Sequence, residues 1–108
     1  MSTPRFEVAS SPQVLSVWFH GRLDSAGCAV LNDALLAQVE QVEPNQQLRF
    51  DLAGSDFVAS AFLRLCILAA RRVGGERFEL AHLTPLVREV FVMAGLDSHL
   101  RIGGAAAP

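Results

Sequence analysis

Three histidines, two cysteines and eleven carboxylates are the side chains of this chain that could support acid–base, nucleophilic or metal chemistry. Their spacing supports none of it. His20, His82 and His99 lie far apart, and none is paired with a nucleophile motif. There is no His-Glu-x-x-His, no Gly-rich phosphate loop leading to a Lys, and no Gly-x-Ser-x-Gly. The histidines read as surface or loop residues. Cys28 and Cys66 share no Cys-x-x-Cys or Cys/His spacing and read as small buried hydrophobes in a reducing cytoplasm. Asp51, Ser55 and Asp56 gather beyond one strand, but one strand end is not a metal site. The expectation is a protein that is not an enzyme and holds no metal and no cofactor.

One residue remains. Ser60 falls where a loop meets a helix, and a hydroxyl there has two compatible uses. It can cap the helix by accepting a free backbone N–H bond, worth about 1 kcal/mol. It can also accept a phosphate, which would meet free N–H groups and the positive end of the helix dipole. The phosphate would bring roughly −1.5 to −2 charges to an apolar surface. The residues alone leave both uses open.

The elements that must position Ser60 follow from periodicity. Phe6 to Ala9 and Val14 to Phe19 read as a strand pair around the turn chemistry of Ser10-Ser11-Pro12-Gln13. From Ala26 to Val42, Cys28, Leu31, Leu35, Val39 and Val42 share a helical face, with Asp24 or Ser25 as the cap. Leu48 to Leu52 alternates as a strand with one wet face. Ser60 to Val73 is a helix that is apolar around most of its girth, which means either burial on two sides, the simpler reading, or an exposed apolar strip for a partner. Residues 77–81 form a strand, and Pro85 opens a helix over 85–94 that Gly95 closes. Leu100 to Ile102 adds a short strand, and a frayed tail follows from about 103. Leu31, Leu35, Phe50, Leu65, Cys66, Phe78, Leu80, Val87 and Phe91 are the expected core. The order β-β-α-β-α-β-α-β implies parallel strands with crossovers beside one hairpin, an α/β fold.

Composition narrows the function. With 51% hydrophobic and 19% charged residues the chain is not disordered, and 108 residues give one domain, 1–108. A net charge of −2 lacks the basic field of a nucleic-acid binder. No secretory signal or membrane-spanning run is visible, so a cytoplasmic protein without direct membrane insertion is expected.

Three segments carry a family resemblance. Gly21-Arg22-Leu23-Asp24 resembles the Gly-x-Leu-Asp signature of STAS domains. Leu48 to Leu52 with Phe57-Val58-Ala59-Ser60-Ala61-Phe62-Leu63 resembles the strand and phosphorylation loop of anti-sigma factor antagonists. Thr84 to Leu96, with Pro85, Val87, Phe91 and Gly95-Leu96, resembles their closing helix. The spacing fits from about 6 to 102. The loop departs from the usual Asp-Ser-(Ser or Thr)-Gly-Leu: Ala59 stands for the Asp and Phe62 for the Gly.

The resemblance implies a STAS-like mixed sheet of four to five strands, with three to four helices mainly on one side. It implies partner switching. The unmodified domain binds a kinase-type anti-sigma factor, that kinase phosphorylates Ser60, and a Ser/Thr phosphatase reverses it. The contact residues would be Asp24, Asp56, Phe57, Ala59, Ser60, Ala61, Phe62 and Arg64, in a monomer or weak dimer. Two alternatives are a STAS binding module without the switch and an accessory subunit of a bacterial lipid-transport ABC system.

Overall fold

The computed structural model describes residues 4–103. Strands β1 (Arg5–Ser10) and β2 (Val14–His20) form an antiparallel hairpin. Helix α1 (Ser25–Val39), strand β3 (Gln47–Gly54), helix α2 (Ser60–Val73), strand β4 (Phe78–Ala81), helix α3 (Pro85–Met93) and strand β5 (Arg101–Gly103) follow. Short 3₁₀ turns cover Gly75–Arg77 and Leu96–Ser98. The sheet order is β1-β2-β3-β4-β5, and β2 through β5 are parallel neighbours.

This order explains where the helices go. Each crossover advances by one strand in the same direction. Right-handed crossovers then place α1, α2 and α3 on one face, as the family resemblance implies. Beneath them the five rings of Phe19, Phe50, Phe62, Phe78 and Phe91 are almost fully buried. Phe19, Phe50 and Phe78 make successive edge-on contacts at 5.0 and 4.9 Å, the geometry favoured by the ring quadrupoles. All nine expected core residues are buried. α2 packs against both the sheet and α1, which covers most of its apolar run and leaves Leu68 42% exposed.

The structure corrects several boundaries. α1 ends at Val39, not Val42, because the chain tightens there: Gln41 and Val42 donate their N–H groups three residues back, to Gln38 and Val39. β3 runs through Gly54, since β2 continues to pair beside it. Gly103, expected at the start of a frayed tail, pairs with Ala81 in β5, and the rest of that tail lies outside the described residues.

The uncovered face of β3 is also drier than its alternation suggests. Arg49 and Asp51 both point there, yet Asp51 is buried. His82, the first residue after β4, adopts a left-handed backbone (φ 58°) and places its Nδ1 2.7 Å from Asp51 Oδ2.

Candidate functional site

Ser60 is reached through two loops that the fold stitches together. The first follows β2 and the second follows β3, so both leave the same end of the sheet. Gly21 turns the first with φ 90°, a conformation that glycine adopts without a Cβ penalty. Its N–H donates to the Gly54 carbonyl at 3.2 Å. Gly54 permits this approach, because a Cβ there would lie 2.6 Å from the Phe19 carbonyl oxygen. Further on, the Leu23 N–H donates to the Phe57 carbonyl, and the Ala59 N–H donates to the Leu23 carbonyl. This short parallel bridge between Leu23 and Val58 holds the entrances of α1 and α2 side by side.

The caps differ at the two entrances. Asp24 is the N-cap of α1, and its Oδ1 accepts the Gly27 N–H at 2.8 Å. The N-cap of α2 is Ala59, with no side-chain cap bond, and Ser60 is the first helical residue. Ser60 is therefore not the cap that its position in the sequence suggested. A residue at the first helical position already has α backbone angles, whereas a capping side chain reaches the N–H groups of the first turn from the extended backbone of the N-cap. The Ser60 side chain is exposed.

The other expected contact residues divide into two groups. Asp56 and Arg64 are exposed, and Phe57, Ala59, Ala61 and Asp24 are half-buried at the surface. The Arg22 guanidinium lies 3.8 Å from the centre of the Phe57 ring, a cation–π contact that fixes the loop. Arg64 follows Ser60 by one turn and borders a groove between α1 and α2 with Asn32, Cys28 and Leu68. Phe62 is a correction. It was expected at the contact surface but is 1% exposed, with its ring 5.0 Å from that of Phe19. Two residues past Ser60, a helix turns its side chain about 200° away, so Phe62 points at the sheet.

The cysteines sit apart from this chemistry. Both are free and buried. Burial pushes the Cys66 thiol well above its ordinary range, and the neighbouring Cys28 adds to that. Burial also raises the Cys28 thiol, helped by the Asp24 charge. Protonated thiols are poor nucleophiles and poor metal ligands. Among the described residues no group of three or more His, Cys, Asp or Glu side chains is placed to hold a metal ion. The Asp51–His82 pair is a contact that sequence reasoning missed. Asp51 lies in β3 and His82 just after the neighbouring β4, 31 residues apart in sequence, so the two meet only through the pairing of those strands.

Known proteins share this fold. The family model described as "Mlab, STAS domain" matches residues 6–102. A relative described as "Putative anti-sigma factor antagonist BtrV", from Bordetella bronchiseptica, is 38% identical over 88 residues, which cover 79% of this chain and 73% of BtrV. An anti-sigma-factor antagonist (STAS) domain protein from Planctomyces limnophilus superposes with a TM-score of 0.82 at 22% identity, over 93% of this chain and 90% of that one. The anti-sigma factor antagonist SpoIIAA, in its unphosphorylated form, gives 0.72 at 17% identity, over 92% and 88%. The Bacillus SpoIIAA in its phosphorylated form gives 0.64 at 16% identity, over 92% and 91%. A sheet with all helices on one face, two bridged loops ahead of α1 and α2, and a family match over nearly the whole chain place this protein in the STAS domain family.

Proposed function

We propose that this protein is an anti-sigma factor antagonist that works by partner switching, with Ser60 as its phosphoacceptor. The observation that carries the reading is Ser60 itself: an exposed hydroxyl, free of the capping role, on the first turn of α2. The relationship to BtrV and the existence of SpoIIAA in phosphorylated and unphosphorylated forms support it. In the unmodified state the surface around Asp24, Phe57, Ala59, Ala61 and Arg64 binds a kinase-type anti-sigma factor. That partner brings the nucleotide and the base. The Ser60 oxygen attacks the γ-phosphorus of ATP, ADP leaves, and the hydroxyl proton passes to the partner's base. A Ser/Thr phosphatase restores the hydroxyl by hydrolysis.

Magnitudes explain why such a phosphate releases the partner without unfolding the domain. At a helix N-terminus an anion is favoured by about 0.3–1 kcal/mol, so the fold tolerates it. Covering the same charge with a partner surface costs several kcal/mol of desolvation unless new cations meet it. Binding is therefore the property that fails. The test is a titration of wild type, Ser60→Ala and Ser60→Asp against the purified kinase-type anti-sigma factor from the same genome. Wild type and Ser60→Ala should bind alike, and Ser60→Asp should bind at least about tenfold more weakly. Equal affinity for all three forms would leave a binding module without a switch.

A further inference from the structure

Helix α3 keeps an apolar stripe that its own fold does not cover. Val87 and Phe91 turn inward and are buried. On the outer side Leu86 is 66% exposed and Met93 81% exposed. With Val90 between them they are spaced four and three residues apart, one stripe along the helix. The stripe runs beside the loop that leads to Ser60. Phe57 and Asp56 from that loop close it into a groove of about 190 Å³. Large apolar side chains this exposed, next to one another and rimmed by charge, mark interaction sites.

The rim identifies the occupant. Asp56 and Glu89 border the groove, and neither forms an ion pair among the described residues. An incoming surface must therefore be apolar at its centre and basic at its edge. A second copy of this chain is a poorer fit on charge: it brings the same groove lining, whose charged members are Asp56 and Glu89, so a pairing of groove on groove supplies no cation to the rim. Strand addition fails on backbone, because a helix offers no free N–H and C=O row. Leu86 to Met93 spans about 10 Å, the reach of anchors at i, i+4 and i+7 on a partner helix.

We infer that this groove receives an amphipathic helix of the kinase-type anti-sigma factor. Its apolar side lies on Leu86, Val90, Met93 and Phe57, and an Arg or Lys lies against Asp56 and Glu89. The inference rests on the functional reading above and extends that contact surface from Ser60 to α3. Phe57 joins the two parts: its ring borders the groove, and its carbonyl accepts the bridge bond from Leu23 that fixes the Ser60 loop.

The experiment is a calorimetric titration of the purified kinase-type anti-sigma factor from the same genome. It uses wild type, Leu86→Glu, Met93→Glu, Glu89→Lys and a control, Val30→Glu. Val30 is 71% exposed on α1 and does not border the groove. Circular dichroism checks that each variant is folded, and sedimentation gives its oligomeric state. Leu86→Glu and Met93→Glu should each weaken binding by about tenfold or more, as loss of a buried anchor does. Glu89→Lys should weaken it less and flatten its salt dependence, and Val30→Glu should leave it unchanged. Wild-type binding that none of the groove variants moves would overturn this inference alone. So would a wild-type dimer that Leu86→Glu dissociates while partner affinity stays the same, since the stripe would then belong to a second copy. No binding by unmodified wild type would overturn the functional reading, and this inference with it.

Discussion

Ser60 and Phe62 are two residues apart and do opposite work. Ser60 contributes no cap, because Ala59 holds that position, and its methyl group cannot accept a hydrogen bond. Ser60→Ala should therefore change stability by less than about 0.5 kcal/mol, where removal of a capping Ser would cost about 1. Urea unfolding of the two proteins checks this. A loss of a full kcal/mol would show that the hydroxyl caps α2 after all. Phe62 is buried, and its ring fills the space over Phe19 and Phe50. Phe62→Ala should destabilise the fold by about 3–5 kcal/mol, since it leaves a cavity under α2. Its effect on partner affinity, measured on the folded fraction, should be small.

At the level of elements, the site depends on how α1 and α2 are started and held together. Asp24 starts α1 through its bond to the Gly27 N–H, and its other oxygen lies 3.7 Å from the Arg22 Nε. Asp24→Ala should cost about 1 kcal/mol from the lost cap. It should also release Arg22 from one of its two neighbours and loosen the loop that carries Phe57. Amide hydrogen exchange at Leu23 and Ala59, whose N–H groups make the bridge between the loops, is the sensitive readout. Unchanged protection there would separate the cap from the bridge. At the far ends of the helices Arg72 makes a two-pronged contact with Glu40, at 2.6 and 2.9 Å. The guanidinium lowers the Glu40 carboxyl below its ordinary range. The pair is exposed, so it registers the helices more than it stabilises them.

For the whole molecule, composition makes one property unusually easy to read. The chain has no Tyr and no Lys. Between pH 8.5 and 11, about the range where those groups and thiols ionise, Cys28 and Cys66 are the only side chains left to titrate. Both thiols are raised in the fold above the ordinary 9.0, mainly by burial. A raised folded-state thiol costs nothing while both states stay protonated. Above pH 9 the unfolded chain loses its protons first, so stability falls as pH rises, by up to about 1.4 kcal/mol per pH unit for each thiol. The urea midpoint should be level from pH 7 to 8.5 and then decline. Cys66→Ala should remove much of that decline, and an undiminished slope would show that Cys66 is not its source.

Periodicity and turn chemistry determined the order of the elements and most of the core. Apolar residues at spacings of three and four can be buried only on one side of a helix, and alternating ones only on one face of a strand. The position of Ser60 next to α2 was legible for the same reason, since a loop rich in small and polar residues gives way to an apolar run there. Whether Ser60 caps the helix was not legible. A shift of one residue at a helix start exchanges a capping hydroxyl for an exposed one, and only the backbone angles of Ala59 decide it. The direction of Phe62, the meeting of Asp51 with His82, and the groove between Phe57 and α3 were beyond the sequence as well. Each depends on segments brought together by the sheet. No local pattern encodes such contacts, because they follow from how parallel strands order their crossovers in space.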